Sequence, residues 1–329
     1  MAGPISFSAE PTIGQDLLTT LRFIFWRLVQ AVPVLLGVSI ITFVLMTATP
    51  GDPIRLLVGD RATPETIAAI RDRYGLDEPV LMQYFTYLKN LVAGDLGASL
   101  RYRVPVSQLI AQHYPVTLFL VIYTIVLTLP PVIALSVLSA RRQNGLADQV
   151  IRLLGVLGLA VPVFWLALLF ARFFGVTLGW FPVSGFGETF TDHLRHLFLP
   201  ALSTMIWVVP ILVRTLRSAL LDEMNRDYVL TGMSKGLGEG RVFRTHVFPN
   251  SVLPTLNLFA VIVAYLLGGS VIVETVYAVP GMGKLMVDSI LARDYFVVQG
   301  ATLVFALTTI LVMLAVDLIS ALIDPRVTP

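Results

Sequence analysis

The chain has 329 residues, of which 56% are hydrophobic and only 13% charged, with a net charge of +2 and no cysteine. Soluble domains carry about a quarter charged residues, so this composition, with a mean hydropathy of +0.81, excludes an ordinary water-soluble globule. Without cysteine there is no disulfide and no thiolate metal site, and so small a charge gives no separate argument for a nucleic-acid partner.

Residues 1–21 are polar and read as a loosely ordered extension, without the basic start and short apolar run of a cleavable signal. Six apolar windows of roughly membrane-spanning length follow: Leu28–Thr47, Val116–Ala140, Leu153–Ala171, Leu197–Val213, Val252–Val273 and Val297–Val316. A buried soluble helix can mimic one such window, but not six. The expected fold is an all-α polytopic membrane protein with six transmembrane helices.

Between the first two windows, residues 50–115 are too many for a simple turn. Thr63 as N-cap and Pro64 at the first position predict a short helix carrying Ile67, Ile70, Arg71 and Tyr74, stopped by Gly75. Val80–Val92 predicts a second helix with Tyr84, Tyr87, Leu88 and Leu91 on one face, ended by Gly94. The segment reads as a helical cap on the outer membrane surface, its aromatic stripe serving packing rather than a ligand.

Prolines 130, 131, 162, 200 and 210 are expected to kink the spans of a bundle that encloses a cavity. Arg172, Arg214, Glu274 and Asp317 fall near span ends and read as snorkelling charges. Gly268, Gly269 and Ser270 in the fifth window read as a close helix-packing site.

Residues 214–251 form a charged insert between the fourth and fifth windows. A helical stretch up to Lys235 ends in Gly236, the residue suited to a left-handed C-terminal cap. Gly238 and Gly240 extend the break, and Arg241–Phe248 resumes the helix until Pro249. Two short helices joined by a glycine turn make a knob that another protein can grip.

Basic residues set the expected orientation. With six spans both termini share one side, and that side carries Arg22, Arg27, Arg141, Arg142, Arg152, Arg214, Arg217, Arg226, Lys235, Arg241, Arg244 and Arg326. The short loops opposite carry only Arg195, Lys284 and Arg293. The positive-inside rule therefore places the termini and the Gly236 loop in the cytoplasm, and residues 50–115 outside.

No reactive constellation is present. His193 and His196 stand at i, i+3 but lack a metalloprotease-type motif beside them. Gly281-Met282-Gly283-Lys284 lacks the upstream glycine and following hydroxyl of a phosphate loop, and no strand precedes the Gly236–Gly240 run. The chain is not expected to be an enzyme or to hold a cofactor of its own.

The loop residues Asp227, Tyr228, Val229, Thr231, Lys235, Gly236, Leu237, Val242, His246, Asn250 and Pro254 fall at spacings that resemble the cytoplasmic loop of one family. It is the permease of ABC importers of the dipeptide/oligopeptide/nickel class, specifically the first of the two permeases. Pro50–Pro53, Tyr74–Asp77, Gly94–Gly97 with Ser99, Glu274-Thr275, Pro280-Gly281, Ala292–Tyr295 and Asp324–Arg326 resemble it as well, so the likeness spans residues 22–327. Gly232 and Ser234 stand where the family usually has alanine, and Leu230 and Met233 where it is often basic.

The resemblance implies a type I ABC importer permease domain over residues 22–329, in the inner membrane of a prokaryote. Its implied partners are membrane lipid, a second homologous permease, two ATPase subunits that hold ATP and magnesium, and an extracytoplasmic solute-binding protein. Asp227, Tyr228, Thr231, Lys235, Gly236, Leu237, Arg241 and His246 are then the ATPase-coupling residues, with Tyr228 and Leu237 as apolar anchors and the basic residues as charge complements. A basic loop resting on anionic head groups is the plainer use of the same charges. The alternative function, an ion-coupled secondary transporter or channel, calls for paired charges or inverted broken helices at mid-membrane, and the sequence has neither.

Overall fold

The computed structural model describes residues 13–48, 63, 78–99 and 101–323. The first helix, α1 (Ile13–Ala48), holds the first window and also takes up residues 13–21, assigned by composition to a loose extension. The helix expected after Thr63 lies outside the described residues. The second helix, α2 (Val80–Val92), starts after Pro79 and stops before Gly94, whose φ of +83° only glycine adopts freely. Its aromatic face packs as expected: Tyr84 and Tyr87 set their ring centroids 5.3 and 6.0 Å from Phe43 of α1, and the Tyr84 and Ser39 hydroxyls lie 2.8 Å apart.

The long helix α3 (Val106–Arg141) contains the second window. The third window does not form one straight span. It divides between α4 (Leu146–Ala160) and α5 (Val163–Phe170), whose axes differ by 95°. Pro162 is the cause, because its ring forces Val161 out of the helical region to φ −95°, ψ 126°. A π-helical turn, Ala171–Thr177, continues α5.

Helix α6 (Phe190–Met224) begins with a reciprocal capping box between Thr189 and Asp192. The connecting loop holds α7 (Asp227–Ser234) and α8 (Glu239–Val242), and a π turn, Phe243–Val247, leads into α9 (Phe248–Val276). The chain closes with α10 (Met282–Leu291) and α11 (Tyr295–Ile323). By length and composition five described helices suffice to cross a bilayer, and the bent α4–α5 pair makes six if it is one crossing.

Helix α6 is the hub, packed against α3, α4, α5 and α9. Helix α3 carries a buried run of small polar residues, Thr124, Thr128, Ser136 and Ser139, which lets backbones approach closely, and the Ser136 hydroxyl donates to the Val213 carbonyl of α6 at 3.4 Å. Thr124 and Thr128 satisfy their hydroxyls on carbonyls one turn back. Gly158 does the same for α4, since a Cβ there would sit 3.1 Å from the Ile206 carbonyl oxygen. Leu212, Leu216 and Leu220 of α6 and Ile262, Leu266 and Leu267 of α9 fill the core between.

Two acids of the bundle have defined partners. Asp317 of α11 pairs with Arg27 of α1 at 2.6 Å, binding the peripheral first helix to the last. Asp148 of α4, which the sequence did not single out, is wholly buried and accepts two 2.7 Å bonds from Arg217 of α6, plus bonds from the Ser139 hydroxyl and the Asn144 N–H. This fork fixes the α3–α4 corner to α6.

Candidate functional site

The loop between α6 and α9 is built around one turn. Past Ser234 the Gly236 N–H donates to the Met233 carbonyl at 2.9 Å, and the Leu237 N–H to the Gly232 carbonyl at 3.2 Å. This pair of bonds is the Schellman closure, and Gly236 supplies the left-handed residue it requires at φ +86°. The expected glycine cap is therefore present. The expected stop at Pro249 is not: the helix resumes at Glu239 and runs through Pro249 into α9. Proline lacks an N–H and crowds the carbonyl four residues back. The π turn removes that conflict, with the Phe248 N–H reaching the Phe243 carbonyl five residues away.

Val229, Val242, Phe243 and Val247 point inward and are buried, so the loop is fastened to the bundle core. The Arg141 guanidinium lies 4.5 Å above the Phe243 ring and ties the loop to the end of α3. Outward, Leu230, Met233 and Leu237 are 57, 41 and 36% exposed. Leu230 and Met233, three apart, share one face of α7, and Leu237 follows directly after the turn. The sequence reading noted Leu230 and Met233 only as departures, although that spacing was there to be read.

The eight residues singled out for coupling separate into two groups. Tyr228 gathers the first: its hydroxyl donates to Glu223 at 2.6 Å, accepts from Asn250 at 3.2 Å, and its ring meets His246 edge-on at 6.3 Å. Burial, aided by the Glu223 carboxylate, raises the Tyr228 phenol above its ordinary pKa. Tyr228 thus braces α7 against α6 and α9 as well as showing a face to solvent. Asp227 opens α7, where its charge suits the helix N-terminus, and its carbonyl accepts the Thr231 hydroxyl at 2.9 Å. Lys235, Gly236 and Leu237 form the tip, and Arg241 is exposed on α8.

The opposite end of α9 carries a buried carboxylate. Glu274 is not a snorkelling end charge: it is fully enclosed, accepting from the Thr117 hydroxyl at 2.7 Å and the Lys284 N–H at 3.0 Å. It thereby caps the N-terminus of α10. Gly281 and Gly283 make room, since a Cβ on either would stand 2.5 or 2.9 Å from the carboxylate. Nearby, two motifs distant in sequence meet, with Asp294 accepting from the Ser99 hydroxyl and from the Arg101 N–H at 3.1 Å.

One other expectation changes. Gly268 has nothing within 4 Å of where a Cβ would stand, so it packs against no helix among the described residues. His193 stacks on Phe186 with Nδ1 2.8 Å from that residue's carbonyl oxygen, whereas His196 Nδ1 lies 2.8 Å from the Asp192 carbonyl, so the two rings serve different partners.

Residues 132–329 match the family described as the binding-protein-dependent transport system inner membrane component, and residues 20–121 match its N-terminal membrane component. The chain belongs to this family. The permease is 42% identical over 305 residues to a Brucella suis protein whose name provisionally assigns it to a peptide transport system, covering 92% of this chain and 97% of that one. It is 37% identical over 311 residues to an oligopeptide transport system permease of Bacillus subtilis (93 and 98% covered). Over 307 residues it is 36% identical to a glutathione transport system permease of Salmonella typhi (93 and 99% covered). The resemblance drawn from the loop and its companion motifs is thereby established, and with it the type I ABC importer permease fold. The permease is an integral component of the inner membrane and works in a transporter with other subunits.

Proposed function

We propose that this permease moves peptides or similar small solutes inward, and that residues 227–249 dock into a partner ATPase. The observation that carries the reading is the loop itself. It is pinned inward by Val229, Val242 and Val247 while it exposes Leu230, Met233 and Leu237 beside the basic residues Lys235, Arg241 and Arg244. An exposed apolar strip with a basic rim suits a protein groove better than lipid head groups alone. Two ATPase subunits would hold ATP and magnesium, so the permease would need neither. A second homologous permease would complete the path, and an extracytoplasmic solute-binding protein would deliver cargo to the face bearing α2. The names of the relatives support peptides or glutathione-like solutes as cargo.

In the proposed orientation the termini and residues 214–251 are cytoplasmic and residues 50–115 are external. The chain has no cysteine of its own. Cysteine introduced at Val92 should therefore react with an impermeant thiol reagent only from outside, and at Ser234 only from inside. Reaction of both from one face refutes the orientation. Peptide uptake by vesicles holding the complete complex tests the function; no uptake of any peptide by the wild type refutes it.

A further inference from the structure

Helices α6 and α9 share an exposed face that no element among the described residues covers. On α9 it runs through Pro254, Asn257, Val261, Tyr265 and Gly268, spaced three or four apart; on α6 it carries Arg214, Ser218 and Asp222, spaced four apart. Trp207 of α6 stacks on Tyr265 of α9 with centroids 5.0 Å apart. Two cavities adjoin this face and meet at Arg214 and Ser218. The first, ≈ 580 Å³, is apolar and walled by Leu135, Ile151 and Val209. The second, ≈ 440 Å³, is polar and includes Asp222, Glu223, Arg226 and Asn250.

Asn257 lies inside the apolar window of α9, and neither it nor Arg214 has a side-chain partner among the described residues. A bare carboxamide is not left facing hydrocarbon, so this face looks onto water or a polar ligand. The neighbouring charges are already committed, Arg217 to Asp148 at 2.7 Å and Arg226 to Glu223 at 3.6 Å. Arg214 and Asp222 of α6 are left open among the described residues. Eight residues apart on one helix, they are separated by about 12 Å along its axis. That distance is the length of about three or four extended peptide residues.

On the reading of the chain as a permease, we propose that this face is one wall of the translocation path, with Arg214 receiving the carboxylate of a short peptide and Asp222 its ammonium. The planar guanidinium matches a carboxylate by a two-pronged bond. The apolar cavity beside it accommodates side chains, and Asp222 stands nearer the cytoplasmic end of α6.

The test uses the complete complex in liposomes. Asn257→Cys should react with a water-soluble thiol reagent markedly faster than Leu307→Cys, on the exposed face of α11, and a saturating tripeptide should slow both Asn257→Cys and Ser218→Cys. A rate at Asn257→Cys equal to that at Leu307→Cys, or no protection by peptide, overturns the wall, as it would if the second permease covered this face. Uptake is then compared for a tripeptide with a free carboxylate and for its C-terminal amide, at saturating binding protein and matched membrane levels. Arg214→Gln should lower the wild-type preference for the free acid by about tenfold, the size of one charge-assisted hydrogen bond. Arg214→Lys, which keeps the charge, should retain most of it. An unchanged preference in Arg214→Gln, with normal wild-type uptake, overturns the role of Arg214 and leaves the proposed function standing. Absence of uptake by the wild type overturns both.

Discussion

Substitutions at Gly236 separate the geometry of the loop from its charge. The residue sits at φ +86° with nothing within 4 Å of a would-be Cβ, so any cost is conformational and not steric. An L-residue held in the left-handed region costs about 1–2 kcal/mol, less for asparagine and more for a β-branched side chain. What holds the turn closed is the pair of bonds to Met233 and Gly232, each worth about 0.5–1.5 kcal/mol net. Gly236→Ala therefore strains a turn that stays mostly closed, and Gly236→Val exceeds what the two bonds return and opens it. Hydrogen exchange at the Leu237 amide should quicken by about 5- to 30-fold in Gly236→Ala, less in Gly236→Asn, and approach the unprotected rate in Gly236→Val. In the assembled transporter, at matched membrane levels, Gly236→Val should uncouple ATP hydrolysis from transport or release the ATPase. Lys235→Gln, which removes an exposed rim charge worth roughly 0–1 kcal/mol, should keep most function. Unchanged exchange at Leu237 in Gly236→Val refutes the account of the turn. Wild-type transport and substrate-stimulated ATP hydrolysis in that variant refute the docking reading.

Gly232→Ala should act in the opposite sense: its Cβ would meet Val242 and Leu237 at ordinary contact distances of 3.6 and 3.7 Å. Helix propensity then favours the variant by up to about 1 kcal/mol, seen as slower exchange across α7; faster exchange contradicts it. Arg217→Met strands the buried Asp148 carboxylate, and breaking such a pair costs about 3–5 kcal/mol. Yield and thermal stability of the purified permease should fall sharply, and Asp148→Asn in the same chain should restore part of the loss. Gly281→Ala places a Cβ 2.5 Å from the Glu274 carboxylate and should be strongly destabilising. In a Glu274→Ala background that penalty should largely vanish, so a double-mutant cycle showing additive effects refutes the cradle.

The features legible in the sequence were those set by neighbours in the chain. Gly236 was readable because a helix ending in a left-handed residue needs glycine, whatever surrounds it. The α2 helix was readable because Tyr84, Tyr87, Leu88 and Leu91 share one face over consecutive turns. The third window reads as a straight span because hydropathy counts apolar residues without recording direction, whereas the structure bends it. Pro162 announced a kink, but only packing of α4 and α5 on α6 sets it at 95°. Glu274 was misread for a related reason. Its partner Thr117 is 157 residues away, and a carboxylate near a span end looks the same in sequence whether it snorkels or is enclosed. Arg217 was counted only as a cytoplasmic-side charge, and its pairing with Asp148, 69 residues away, went unread.

Pro249 is the most instructive miss, because its correction changes how the loop can act. A proline that ended the second loop helix would leave a joint between the loop and the fifth span, and movement of the loop would be absorbed there. The π turn at Phe243–Val247 instead carries the helix past the proline, so Glu239 and the 29-residue α9 form one continuous rod. At about 1.5 Å per residue, α9 alone is some 43 Å long, enough to cross the bilayer. Its far end holds Glu274, which caps α10 and grips Thr117 of α3. A loop fastened to the core by Val229, Val242 and Val247 cannot slide without tilting that rod. A tilted rod must in turn strain or release the Glu274 contacts. On the proposed function, this gives the docking loop a continuous helical link to the opposite side of the membrane, running along the same helix whose exposed face carries Asn257 and Tyr265.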